Sequence, residues 1–162
     1  MSFEITDKQI TQKVNHGIRK FFKNEIGLLE NNLHERTIVH HFAKYLENEF
    51  NGFDVDTEYN RNGAETKTLD DDPIFPDIIV HNRTLKSNLL VIEIKKDGSS
   101  KKRINKDRTN LKKMTSYPKY KYQLGMLIIF YVEKKASNEP ILECYKEGKQ
   151  INLGNENSEE NS

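Results

Sequence analysis

Asp77, Glu93 and Lys95 are the side chains of this chain whose types and spacing could do chemistry together. Pro76-Asp77 opens onto the apolar run Ile78-Ile79-Val80, and Leu89-Leu90-Val91-Ile92 leads into Glu93-Ile94-Lys95. Side chains along a strand alternate between faces, so Glu93 and Lys95 point one way while Leu90, Ile92 and Ile94 point into the opposite layer. Pairing the two runs as a hairpin with Asp77 opposite Glu93 centres the turn on Leu85. That position lies in the polar stretch from Asn82 to Asn88, where a turn is expected. Two carboxylates and a lysine then share one patch at a sheet edge, an arrangement suited to a divalent metal. Hard oxygen ligands hold Mg²⁺, or Mn²⁺ in its place; Asp77 and Glu93 supply two, and the backbone carbonyl of Ile94 could supply a third. Such a metal acidifies water and neutralises charge developing at phosphorus, which is what phosphodiester hydrolysis requires. Lys95 beside it can orient the attacking water or stabilise a pentavalent transition state. Whether it acts as a fixed cation or as a base is open at this level.

The net charge of +1 conceals an asymmetry. From Asp54 to Asp77 eight acids stand against Arg61 and Lys67, whereas from Lys95 to Lys121 eleven bases stand against Asp97 and Asp107. A basic block is the electrostatic footprint of a phosphate-backbone binder. Its place directly behind the carboxylate patch favours that reading over a merely solvated helix face. Lys101, Lys102, Arg103 and Lys106 fall near the start of the block's helix, where free backbone N–H groups also favour phosphate, and Lys113 lies further along. These five are the candidate nucleic-acid contacts. Tyr117, Tyr120 and Tyr122, interleaved with Lys119 and Lys121, could stack on unpaired bases, but such tyrosines more often cover a core edge. Asp70-Asp71-Asp72 lacks fixed spacing to other ligands and reads as a solvated loop. His81 shares the Asp77 face by alternation yet sits past the patch toward the turn.

The elements that must position these groups follow from hydrophobic spacing. The 162 residues suffice for one domain with a real core. With 35% apolar and 31% charged residues and no apolar stretch near the roughly 20 residues of a membrane helix, a polar-surfaced protein without membrane contact is expected. The first residues have no signal layout, so the expected location is cytoplasmic. The single Cys144 excludes an internal disulfide and a cysteine-built zinc site. Thr6 is a cap for a first helix carrying Ile10, Val14, Ile18, Phe21 and Phe22, with Gly27 as its stop. A second helix over 32–50 has the stripe Val39, Phe42, Leu46 and Phe50. Phe53, Val55, Thr57 and Tyr59 alternate with polar residues as a first strand, and 61–73 reads as a long mobile loop. A helix over 101–117 turns Ile104, Leu111 and Met114 inward. Strands over 122–132 and 141–145 follow. The polar tail from 148 is expected to be disordered. The order is αα-βββ-α-ββ, divided into an N-terminal helical extension (1–30), a core (31–147) and the tail (148–162).

Pro76-Asp77 followed by Glu93-Ile94-Lys95 resembles the motif of the PD-(D/E)XK nuclease superfamily, the fold of many restriction endonucleases, Holliday-junction resolvases and repair nucleases. The resemblance implies an α/β, restriction-endonuclease-like αβββαβ core with a mixed central sheet flanked by helices, here over 32–132, plus an extra N-terminal helix. It implies Asp77 and Glu93 as metal-binding acids, Lys95 as the catalytic lysine and Mg²⁺ (or Mn²⁺) as cofactor. The family often adds a glutamate from the helix before the first strand. Glu35 fits, since it precedes Val39, Phe42 and Leu46 by four, seven and eleven positions and so continues the buried stripe. The other reading makes it a helix-start acid favoured by the dipole, its charge in solvent. Glu58 is a weaker candidate on an exposed face. The later helix often lends a polar residue, for which Lys106, Asn110 and Lys113 stand. The implied activity is metal-dependent cleavage of nucleic acid, DNA in the first instance. Lacking an evident sequence-reading module, such a core would recognise structure, ends or a partner's cue. It would cut two strands most simply as a homodimer, with the N-terminal helix as contact, or within a larger nuclease complex. Restriction, repair, recombination and phage defence are the family's settings. The alternative, from another class, is a non-catalytic nucleic-acid-binding or assembly module that keeps the fold. Intact Asp77, Glu93 and Lys95 count against it.

Overall fold

Thr6 begins the first helix, α1 (Asp7–Glu30), through reciprocal bonds: its hydroxyl accepts from the Gln9 N–H at 3.2 Å and the Gln9 side chain accepts from its own N–H at 2.9 Å. The computed structural model describes residues 4–57, 61–62, 65–66, 68–70 and 72–153. Glu58, Tyr59, Asp71 and the tail from 154 lie outside them. Helix α1 does not stop at Gly27. It runs on to Glu30 because Leu29 is fully buried, and the Asn31 N–H and side chain both bond the Gly27 carbonyl at the end. Packing thus outweighs the roughly 1 kcal/mol that glycine costs inside a helix. Helix α2 (Glu35–Glu49) begins three residues later than the stripe alone suggests. Asn32 is in the left-handed region at φ 48°, and His34 Nδ1 caps the helix by accepting from the Arg36 N–H. Helix α3 (Lys101–Ser116) is capped by Ser100 Oγ, after Gly98 turns the chain at φ 92°.

Six strands form one sheet: β1 (Asp54–Thr57), β6 (Ile78–Asn82), β7 (Ser87–Lys96), β8 (Leu124–Phe130), β9 (Ile141–Lys146) and β10 (Lys149–Ile151), adjacent in that order. Between β1 and β6 lie two antiparallel ladders of two-residue strands, β2 (Arg61–Asn62) with β3 (Glu65–Thr66) and β4 (Thr68–Leu69) with β5 (Asp72–Pro73). The segment expected to be one long loop therefore carries local pairing. Only β7 and β8 run parallel, with α3 as the connection that parallel neighbours require; every other pair in the sheet is antiparallel. The architecture is a mixed α/β fold with three helices and a mostly antiparallel sheet.

Alternation divides the core in two. Ile78, Val80, Leu90, Ile92, Ile94, Met126, Ile128 and Phe130 meet the apolar stripes of α1 and α2. Ile79, Val91, Leu127 and Ile129 meet Leu111 and Met114 of α3 and the side chains of Tyr120, Tyr122 and Tyr145. Phe21, Phe42 and Phe130 lock the first layer, with ring centroids 5.5 to 5.8 Å apart. All three are buried, so truncating Phe42 to alanine would cost about 3–5 kcal/mol. Residues of α1 and the sheet share that cluster, so α1 spends its apolar stripe on this chain's own core. Strand β8 is buried at every position, as a strand covered on both faces should be.

The tail begins later than expected. Glu147 and Gly148, at φ 50° and 81°, form a two-residue hairpin turn, and Lys149–Ile151 then pair with β9, Lys149 opposite Lys146. Residues 149–151 are therefore a sheet edge, not a disordered tail. The expectation for 154–162 falls outside the described residues.

Candidate active site

Register brings the two acids together. Ile78 pairs with Ile92 and Ile79 with Val91, which sets Asp77, just before β6, opposite Glu93. A bulge between Val80 and His81 closes the hairpin on the turn at Arg83–Lys86, with Leu85 71% exposed at its tip. The Asp77 and Glu93 carboxyls lie close enough for each to shift the other's protonation. Ile94 lies past the last paired residue of β6, and its free N–H donates to Asp77 Oδ2 at 2.7 Å. The Ile94 carbonyl takes Lys95 Nζ at 3.2 Å in place of a ladder partner. Glu93 and Lys95 share the α3 face, and they are 7% and 6% exposed.

Two helices close around Lys95. From the first turn of α2, Glu35 Oε1 stands 3.4 Å from Lys95 Nζ and 3.6 Å from an Arg103 guanidinium nitrogen. From α3, Asp107 Oδ2 stands 2.8 Å from Lys95 Nζ. Asp107 is buried, and spacing alone could have found it. It lies three residues after Ile104 and four before Leu111, on the inward stripe of a helix none of whose other charged residues is buried. The polar residue that α3 sends to the site is thus Asp107 rather than Lys106, Asn110 or Lys113. Lys113 is instead paired with Asp70, which also accepts from Tyr117 Oη at 3.1 Å, so β4–β5 is strapped onto α3.

The remaining candidates divide by exposure. Lys101, Lys102, Arg103 and Lys106 lie exposed along the first turns of α3, on the same end of the sheet as Lys95. Tyr120 and Tyr122 are buried and cover the core, Tyr120 Oη donating to the Thr68 carbonyl at 2.6 Å. His81 is buried 2.6 Å from Asp56, with Arg83 bonded to the same carboxylate, so it ties β1 to β6 beyond the site. Behind the site a groove of about 550 Å³ is lined by Lys96, Arg103, Lys134 and Lys135, opposed by Asp97 and Glu133.

Burial and like charge set the electrostatics. Burial lifts Asp77 above the usual carboxylate range against the pull of the Ile94 N–H and Lys95. It lifts Glu93 much further, with the Asp77 and Asp107 charges adding to the effect. Asp107 is also raised, burial and the Glu35 charge outweighing its bond to Lys95. Burial alone would lower Lys95; the bond and charge of Asp107, with Glu35 and Asp77, raise it instead. Four carboxyls (Asp77, Glu93, Glu35 and Asp107) thus surround two cations, Lys95 and Arg103. Full ionisation would leave the cluster at −2.

A hard divalent cation fits that donor set. Asp77 and Glu93 offer carboxyl oxygens whose burial favours the protonated form, and the Ile94 carbonyl is outside the ladder. Glu35 reaches the site, where its charge is met by the cations Lys95 and Arg103. Among the described residues, no group of three or more histidine, cysteine, aspartate or glutamate side chains is arranged as a ligand set. The donors on hand are therefore two carboxylates and a backbone carbonyl. No helix among the described residues is long and apolar enough to cross a membrane. A scan against protein-family models returns no match, and neither does a search of curated proteins.

Proposed function

We propose that this chain is a Mg²⁺-dependent nuclease of the PD-(D/E)XK type, cleaving phosphodiester bonds in DNA. The observation that carries the reading is the meeting of Asp77, Glu93 and Lys95 at one end of β7, the register setting Asp77 opposite Glu93 and the ammonium on the same face. Further support comes from the chain order α2, β1, β6, β7, α3, β8, with antiparallel β1-β6-β7 and parallel β7-β8, which corresponds to an αβββαβ core. The proposed assignment has Asp77, Glu93 and the Ile94 carbonyl hold Mg²⁺ or Mn²⁺, which when bound lowers the pKa of water and neutralises phosphate charge. Lys95 is the cation that meets charge developing on the phosphate oxygens, in a pocket where water is scarce. Its two carboxylate neighbours favour the charged ammonium, so the cation role is chosen over the base. Lys101, Lys102, Arg103 and Lys106 contact the DNA backbone, which orients the duplex without reading bases.

Nicking of supercoiled plasmid with Mg²⁺ or Mn²⁺, against EDTA, tests the proposal. Asp77→Ala and Glu93→Ala are expected to abolish cleavage, and Lys95→Ala to slow it by about 10²–10³-fold with metal still bound. Undiminished activity in all three variants would discard the assignment. Metal-independent DNA retention with no cleavage by the wild type would establish the non-catalytic binding module instead.

A further inference from the structure

We infer that Asp107 is a positioning residue that fixes the Lys95 ammonium for cleavage, an inference that rests on the nuclease reading of the site. A lysine carries its charge on four flexible carbons, so an ammonium that must meet a transition state needs a built socket. Lys95 has one. Its ammonium donates to the Ile94 carbonyl at 3.2 Å and to Glu35 Oε1 at 3.4 Å, and Asp107 Oδ2 stands 2.8 Å away as its ion-pair partner. These three differ in commitment. The Ile94 carbonyl belongs to the candidate cation set, and Glu35 is shared with Arg103 at 3.6 Å. Asp107 is the nearest of the three and has Lys95 as its ion-pair partner.

Asp107 is itself confined by burial. It stands 8% exposed on the inward stripe of α3, and Leu111 and Met114 on that stripe are buried against the sheet. The apolar contacts already fasten α3 to β7 and β8, so a carboxylate buried among them is not needed for docking. An unpaired carboxylate there would be costly, and its pairing with Lys95 fixes both groups at one place. The lysine stem, 6% exposed, leaves little room for another rotamer. Without the Asp107 charge the ammonium would be drawn to Glu35 and the Ile94 carbonyl alone, and its place would be less fixed.

Single-turnover cleavage by the full chain tests this with Asp107→Asn, which keeps the shape and removes the charge. The expected result is a cleavage rate about 10–100-fold lower with DNA affinity within about twofold, because a misplaced group costs the chemical step rather than binding. The same substitution made in Lys95→Ala protein should bring no further loss. Asp107→Glu should recover part of the rate. Multiplying losses in the double variant, or a wild-type rate in Asp107→Asn, would overturn the inference while leaving the nuclease reading intact. A wild type inactive with every divalent metal would instead remove that reading. Nitrogen-15 NMR of the Lys95 ammonium in metal-free protein reads the socket without any turnover. A slowly exchanging signal in the wild type that disappears in Asp107→Asn is expected. A signal unchanged by the substitution would refute the socket, whatever the activity.

Discussion

Replacing Glu93 by glutamine should make the metal-free protein more stable and the metal-loaded protein no better. Glu93 is buried beside the Asp77 and Asp107 charges, with its carboxyl held well above the usual range by burial first and those charges second. Two unit charges about 4 Å apart at an effective dielectric near 20 repel by about 4 kcal/mol. Proton uptake relieves much of that, and Lys95 relieves part of the rest, so about 1–2 kcal/mol remains at pH 8 for an isosteric neutral side chain to recover. A glutamine amide can donate to the Asp77 carboxylate, so little is lost by the exchange. In a chain of this size the gain is about 2–8 °C in Tm. The wild type should gain in turn from the metal: 10 mM Mg²⁺ acting on a site with a dissociation constant of about 1 mM adds about 1.4 kcal/mol. Glu93→Gln should lose that response. Thermal unfolding at pH 8 in EDTA and in Mg²⁺, on both proteins, measures all four values. A glutamine variant less stable than the wild type in EDTA, or one with an equal Mg²⁺ response, would refute the view of Glu93 as a strained, metal-directed carboxylate.

Two further outcomes follow from other parts of the molecule. Arg108 grips Glu143 through two bonds of 2.7 and 2.9 Å and holds its carboxyl below the usual range against burial, with Tyr145 Oη adding a third bond. A depressed acid stabilises the fold above its unfolded value, and that contribution is lost as pH falls through its folded one. Glu143→Gln should therefore cost about 1–2 kcal/mol at pH 7, a figure kept modest because Arg108 is 38% exposed, and distinctly less near pH 3; equal losses at both would refute it. Replacing exposed Lys102 and Lys106 by alanine should weaken DNA binding and flatten the log–log salt dependence by about 0.9 per lost phosphate contact. An unchanged slope would move the DNA path off α3.

The parts of this fold set by alternation and spacing could be read in advance, and those set by single turn residues could not. The Ile78–Ile92 register follows from placing Asp77 against Glu93 and leaving the polar stretch 82–88 to turn, because a one-residue slip would bury the wrong face of both strands. The apolar stripes of α1, α2 and α3 are legible for the same reason. The end of α1, the start of α2 and the existence of β10 depend instead on Asn31, on Asn32 at φ 48° and on Glu147-Gly148. Each is one local conformation whose signal is no stronger than that of glycines and asparagines elsewhere. Asp107 was hidden by its company. In a helix with lysines and arginines on most faces, a lone acid reads as one more surface charge until its phase against Ile104 and Leu111 is counted.

That phase also bears on what the cluster is for. A surface hairpin with incidental charges would leave Glu93 and Lys95 in water, whereas both are more than nine-tenths buried. A purely structural network gains most when its charges cancel, since every unbalanced buried charge adds to the cost of desolvation. Here α2, α3 and the β6–β7 hairpin bring four carboxyls to two cations. Burial and like charge relieve the excess by favouring the protonated acids, Glu93 most of all. The shortfall of two positive charges is the charge of one divalent ion. It lies at Asp77 and Glu93, where the oxygens are not already taken by lysine or arginine. A site built this way is costly as scaffolding, and the proposed metal would meet that excess at Asp77 and Glu93 while Lys95 stays paired with Asp107.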